Sequence, residues 1–258
     1  MFLKLLKHEL HEAARMLLPF LGGVLLFAAV TRGIIWIMEQ SDNAILRVMG
    51  IMFVVLFFVA CIASVVLTAV LLIIRFGKTV HGDEAYLTHT LPVGVHSILI
   101  SRLLVTYLAL LVSIGIAYVG IRFSLWNVKA ASDIGREFAY MFEVMGMDSK
   151  TIWMMIASYA SQLLATVLLI FAAISIGHSF NRGKVGFSIL FYFAIESAFS
   201  IVSAIFSLVL VPNLLGESGD FGAVMGSFGF IAIGLNLVCC AVCYFLSWIM
   251  TKKRLNLS

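Results

Sequence analysis

Charges in this 258-residue chain come in bunches, and between the bunches run uncharged stretches of 16 to 31 residues. About 20 predominantly apolar residues suffice for a helix to cross a hydrocarbon core about 30 Å thick. The runs are continuous rather than alternating, which points to helices and away from a β-barrel. Hydrophobic residues make up 62% of the chain and mean hydropathy is +1.11, whereas soluble domains sit near about 45–50% apolar. The expected fold is therefore all-α and polytopic, a single membrane domain over residues 1–258.

Six spans are read at roughly 17–38, 44–74, 103–121, 151–177, 185–211 and 226–250. The 31-residue runs at 151–181 and 221–251 are too short for two crossings and a turn, so each counts once. Pro212, Gly216, Gly219 and Gly222 interrupt residues 206–225, which predicts a short re-entrant or interfacial segment protected by protein rather than a seventh span. Residues 1–15 form an amphipathic pattern. Phe2, Leu3, Leu5, Leu6, Leu10, Ala13 and Ala14 share one half of the wheel, with Lys4, Lys7, His8, His11, Glu12 and Arg15 opposite. Glu9 is the one polar intruder on the apolar side, and the pattern predicts an interfacial helix. Acids among the first residues argue against a cleavable signal peptide.

Lysine and arginine concentrate on the cytoplasmic side of membrane proteins. Eleven fall on the side of the N-terminus: Lys4, Lys7, Arg15, Arg75, Lys78, Arg102, Arg182, Lys184, Lys252, Lys253 and Arg254. Six fall opposite: Arg32, Arg47, Arg122, Lys129, Arg136 and Lys150. Both termini are therefore expected in the cytoplasm. The net charge of +4 is too small and too dispersed to suggest a nucleic-acid surface. Cys61, Cys239, Cys240 and Cys243 all lie in apolar runs and read as packing residues.

Two loops stand out. Residues 75–102, on the cytoplasmic side, place Asp83 and Glu84 after Gly82, where a helix N-terminus favours acids. Pro92 then biases Leu91 out of the helical region. A short helix is expected there, with Tyr86 and Leu87 as its most hydrophobic members, either offered to a partner or resting on the lipid surface. The outer segment, 123–150, carries Ile134, Phe138, Met141, Phe142 and Met145 on one helical face. It suits an interfacial helix, a cap over a pore, or a solvated loop on the outer helix ends.

Catalytic patterns fail on spacing. Gly77-Lys78-Thr79 resembles the end of a phosphate-binding loop, but Leu72 stands where that loop requires glycine. His8 and His11 are not four residues apart, as a zinc-protease pair must be. Within the spans Glu196 is the central acid, and a carboxylate at that depth must face protein or water. It either lines a pathway or bonds a neighbouring helix. Gln162, Asn236 and Arg32 are weaker candidates, Arg32 being able to snorkel outward. Paired polar residues at matching depth are not evident, which counts against an intramembrane enzyme. Gly222, Gly226, Gly229 and Gly234 suit close packing at the start of the last helix.

The opening FLKLLKHELHEAARMLLP, six spans with both ends inside, and above all HGDEAYLTHTLPV between spans two and three resemble the permease subunit of a type 2 ABC transporter, in the branch common in Gram-positive bacteria. The resemblance implies a bacterial cytoplasmic-membrane protein exporting a hydrophobic or amphipathic cargo. It implies a separate cytoplasmic ATPase subunit, which would hold the ATP and Mg²⁺, and a second permease copy or homologue. The coupling helix that docks on the ATPase would be Asp83 to Leu91, with Tyr86 and Leu87 at the contact and Asp83, Glu84 and Leu91 at its ends. This chain would hold no cofactor and no metal and would not itself be an enzyme. The rival reading is a membrane scaffold or sensor subunit that grips a partner through the same helix without moving cargo.

The orientation makes a direct prediction. With the four native cysteines removed, single cysteines at Ser132 and Asn256 should differ: an impermeant thiol reagent applied to intact cells labels position 132 only. Labelling at 256 reverses the topology.

Overall fold

The computed structural model describes residues 2–40, 43–81, 95–126, 129–180, 184–218 and 221–255. They form helices α1 (Phe2–Gln40), α2 (Ala44–His81), α3 (Val95–Ser124), α4 (Lys129–Val144), α5 (Ser149–Gly177), α6 (Lys184–Ser218) and α7 (Phe221–Leu255). No strand occurs among the described residues. All but α4 are long and apolar enough to cross a membrane, giving six candidate spans. The protein is an all-α, multi-pass membrane protein.

The helices extend past the expected spans. At about 1.5 Å per residue, the 39 residues of α1 run far beyond one hydrocarbon core. The amphipathic opening is not a separate element: its turns continue through Met16 and Pro19 into the first span. Nothing between residues 15 and 19 terminates a helix except the proline, and one missing N–H is tolerated in an otherwise apolar helix. Residues 206–225 also differ from expectation. Among the described residues no separate element interrupts the helices: residues up to Ser218 continue α6 through Pro212 and Gly216, and residues from Phe221 begin α7, with no seventh candidate span between them. Isolated glycines and a single proline did not outweigh the apolar residues around them.

In the 75–102 loop, α2 reaches His81 and α3 begins at Val95, so helix occupies both ends of the segment. The expected coupling helix, with Asp83, Glu84, Tyr86, Leu87 and Leu91, lies outside the described residues. Gly77, Lys78 and Thr79 are helical rather than part of a phosphate-binding loop. The outer segment does contain a helix, α4. It ends where Gly146 takes a positive φ of 65°. There the Met147 N–H donates to the Phe142 carbonyl and the Gly146 N–H to that of Glu143, a glycine-dependent helix stop.

The chain divides into two compact units, Met1–Arg75 with Ile100–Asp133, and Phe76–Leu99 with Ile134–Ser258. In the first unit, Ala13, Leu17 and Leu21 of α1 pack with Leu72 of α2 and with Val105 and Ala109 of α3. A second cluster joins Val24, Ala28, Phe57, Cys61 and Ala117. Gly120 packs closely there: a Cβ would stand 3.3 Å from the Phe57 ring, which would have to give slightly, and 3.6 Å from Ala28. Thr68 and Ser113 add a buried hydroxyl contact of 3.3 Å between α2 and α3.

Glu9, the intruder on the apolar face of α1, now has a reason. Its Oε2 lies 3.0 Å from Arg75 Nη2 and its Oε1 lies 3.5 Å from Arg102 Nη2, while Glu12 also pairs with Arg75. The side chains of Glu9, Arg75 and Arg102 are only 14%, 18% and 9% exposed. Three helices are thus tied at one end by a carboxylate between two guanidiniums.

In the second unit α5 and α7 run parallel and close. Gly226 and Gly229 sit against Thr151 and Met154, Asn236 reaches Ser161, and Ser175 meets Ser247 at 3.3 Å. Gly234 faces open space, so it is not part of that packing. At its own start α6 stacks Phe187 on Phe180, with ring centres 4.4 Å apart.

Removing one partner from a buried ion pair costs about 3 kcal/mol, because the other charge is left uncompensated. Glu9→Ala should therefore lower the Tm of the detergent-purified protein by at least about 5 °C. Glu12→Ala, at a side chain 60% exposed, should cost about 1 kcal/mol or less. Equal effects of the two would remove Glu9 from its place at the centre of the cluster.

Candidate functional site

Three of the four intramembrane polar candidates meet in one place. Gln162, Glu196 and Asn236 stand near the middles of the apolar stretches Ser149–Gly177, Val185–Val209 and Val224–Thr251. All three line a cavity of about 130 Å³ between α5, α6 and α7. Thr166, Ser200 and Ser203 add hydroxyls to its wall, and Leu169, Phe199 and Leu235 add apolar surface. Polar residues at matching depth are therefore present, against the expectation from the linear sequence. They were invisible there because depth is shared between helices only once the helices have been placed.

The local reasons are readable. Glu196, Ser200 and Ser203 follow an i, i+4, i+7 spacing, which puts them on one face of a helix. Gln162 and Thr166 are likewise one turn apart, and the Thr166 hydroxyl donates to the Gln162 carbonyl at 2.9 Å. Asn236 is 9% exposed. Its Nδ2 donates to Ser161 Oγ at 3.0 Å, with the Ser158 carbonyl at 3.5 Å. Asn236 is thus a strut between α5 and α7. The Glu196 carboxylate and the Gln162 amide line the cavity without a hydrogen bond or ion pair to another side chain among the described residues.

A second hollow of about 420 Å³ opens between the first half of α5 and the start of α7, bounded by Met155, Tyr159 and Phe228. It shares Gln162, Ala232 and Asn236 with the first. The two form a cleft that begins near the N-terminal turns of α5 and passes the central amides to reach Glu196. Its walls are mostly apolar with a few polar groups at mid-depth, which is the composition of a small-molecule site. A carboxylate and an amide there can bind cationic or hydroxyl-bearing groups, and low surrounding polarity strengthens each contact.

Arg32 does not join them. It belongs to the first unit, half-buried on α1, and its Nη1 is buried without a hydrogen-bond partner among the described residues. All four cysteines are buried and free. Cys239 and Cys243 approach to 3.9 Å on one face of α7, with Cys239 at the cavity wall. Among the described residues no group of three or more His, Cys, Asp or Glu side chains is placed to hold a metal ion.

Two contacts connect this region to the flanks of the 82–94 segment. Phe76, near the end of α2, stacks on Phe171 of α5 with ring centres 3.7 Å apart and planes 6° from parallel. His96, at the start of α3, shares a hydrogen bond of 2.8 Å with the Tyr244 hydroxyl and stacks on Trp248 of α7 at 5.0 Å. Sequence reading singled out neither residue, although a histidine and a phenylalanine placed just outside a polar loop carry a signal of that kind.

A cleft lined by Glu196 and hydroxyls should hold water. In a cysteine-free background, Ser200→Cys should react with a small hydrophilic methanethiosulfonate reagent, while Ile201→Cys, 60% exposed on the apolar outside, should stay unmodified. Equal protection of both positions would make the cavity dry.

Comparison of the chain with protein-family models, with curated proteins and with solved structures found no match in any of the three.

Proposed function

We propose that this chain is the membrane-spanning subunit of an ATP-driven exporter of the type 2 ABC kind, residing in a bacterial cytoplasmic membrane with both termini inside. The observation that carries the reading is the cleft between α5, α6 and α7, with its single central carboxylate, built on the same helices that receive Phe76 and His96. The pattern HGDEAYLTHTLPV supports it from the sequence side.

On this reading ATP and Mg²⁺ are held by a separate ATPase subunit, and its motion arrives through the segment from Asp83 to Leu91. A displacement of that segment pulls on both of its stems. One stem ends on Phe171, two residues from Leu169 in the cavity wall, and the other on Tyr244 and Trp248, beyond Cys239 on α7. Moving α5 and α7 relative to α6 changes the width of the cleft. The energy required is a difference in the partner's affinity for two arrangements, and nothing more.

The cargo is hydrophobic or amphipathic. Apolar walls accept its body, and Glu196 with Gln162 accepts a polar or cationic head. A second copy of the chain, or a homologue, supplies the other half of the pathway.

An aromatic anchor buried in a partner's pocket commonly contributes about 2 kcal/mol or more, which is about thirtyfold in affinity. Tyr86→Ala with Leu87→Ala should therefore weaken recovery of the ATPase subunit by at least about thirtyfold, at equal membrane abundance, and abolish stimulated ATP hydrolysis. Equal recovery and equal stimulation would remove the coupling role. Retained binding in the wild type without any stimulation of hydrolysis would favour the scaffold.

A further inference from the structure

The first unit carries a groove of its own. Between α1 and α3 lies a hollow of about 460 Å³ whose lining is apolar throughout, with Leu18, Leu25, Val112 and Ile116 among its walls and Ala14 and Gly22 as small residues that leave it deep. On α1 it runs from Leu10 to Leu25, about 22 Å at 1.5 Å per residue, enough to span the depth of one bilayer leaflet, about 15 Å of hydrocarbon. Such a groove facing lipid accommodates an acyl chain.

The charge pattern of α1 says which lipid. At 3.6 residues per turn, Lys7 and His11 fall within an arc of about 60° that also holds Ala14, Leu18 and Leu25, so the groove's line continues toward the N-terminus into basic residues. Lys4 and Arg15 flank the same line. Lys4, Lys7, His11 and Arg15 are all exposed. The acids of this helix lie elsewhere: Glu9 and Glu12 are turned to Arg75, and Glu9 also to Arg102. Pairing with those arginines draws the negative charge off the groove side and leaves the groove mouth positive.

We infer that the α1–α3 groove is a binding site for an anionic glycerophospholipid, with one acyl chain along Ala14, Leu18, Gly22 and Leu25 and its phosphate at Lys7 and Arg15. The lipid is a resident component, separate from any cargo in the cleft of the other unit. This site does not depend on the proposed export function.

The test counts lipid retained by the full-length chain. Purified protein in mild detergent is incubated with palmitoyl-oleoyl phosphatidylglycerol or with the matching phosphatidylcholine, and bound lipid is read by native mass spectrometry. The wild type should retain phosphatidylglycerol in preference. Each basic residue near a membrane surface is worth roughly fivefold in attraction to an anionic lipid, so Lys7→Gln with Arg15→Gln should cut that preference about fivefold per charge. Gly22→Leu should reduce retention of both lipids by filling the groove. A Cβ there meets nothing within 4 Å, so this variant is expected to fold, and Ala14→Leu provides a second filling variant. Equal retention of the two lipids by wild type, or undiminished retention in both filling variants, would overturn the site. So would a lipid-free dimer in which disulfide trapping of Leu18→Cys, in a cysteine-free background, joins two copies through this groove.

Discussion

Glu9 between Arg75 and Arg102 is the interaction on which the first unit depends. A carboxylate one turn or more inside an apolar helix face is costly to bury alone, and so is each arginine. Together their opposite charges offset one another and in doing so fix the register of three helices at one end. Glu9 must stand level with Arg75 on α2 and Arg102 on α3, and from that level the rest follows. Ala13, Leu17 and Leu21 descend against Leu72, Val105 and Ala109, and Phe57 then meets Gly120 and Ala28 further along. Apolar packing in lipid has little hydrophobic driving force to choose one sliding position over another. A three-way charge cluster chooses.

The second unit solves the same problem with neutral groups. Small residues let α5 and α7 approach, and hydrogen bonds from Asn236 to Ser161 and between Ser175 and Ser247 set their register. This division of labour has a consequence for chemistry. Because Asn236 is the strut, Glu196 need not be one, and its carboxylate is left to face the cavity rather than to hold a helix. Glu9, by contrast, is held by the arginines whose helices it pins.

How much of this was legible follows from which interactions are local. The six spans could be read because the length of an apolar run is a property of the run alone. A helix within 123–150 was one of the readings open from the face of Ile134, Phe138, Met141, Phe142 and Met145, and α4 is that helix. Helix ends were not: Pro212 and Gly216 look like stops, and Arg15 to Met16 looks like a boundary, yet helix continues through both. In lipid an unpaired backbone group has no water to turn to, so extending a helix past a weak breaker costs less than ending it. Glu196, Gln162 and Asn236 could be named singly but not joined, since their meeting depends on α5, α6 and α7 being adjacent. Glu9 was visible only as an anomaly, because its partners lie 66 and 93 residues away by the numbering of Arg75 and Arg102. The serines at 200 and 203 could have been found from their spacing to Glu196.

The placement of the unit boundary bears on how a partner could act on the protein. The first unit ends at Arg75 and resumes at Ile100, and the residues between, as far as they are described, pack within the second. On the proposed reading the coupling segment is therefore mounted on the unit that contains the cleft, through an aromatic stack at one stem and a histidine bonded to a tyrosine at the other. Aromatic pairs have preferred ring geometries, and a single hydrogen bond is directional. On that reading force applied at the segment reaches α5 and α7, and a rotation of these helices would turn side chains in the cleft wall toward or away from Glu196. Pure translation would have to break the small-residue contacts of Gly226 and Gly229 with α5. On the proposed reading, rolling these helices keeps those contacts while changing which side chains face Glu196.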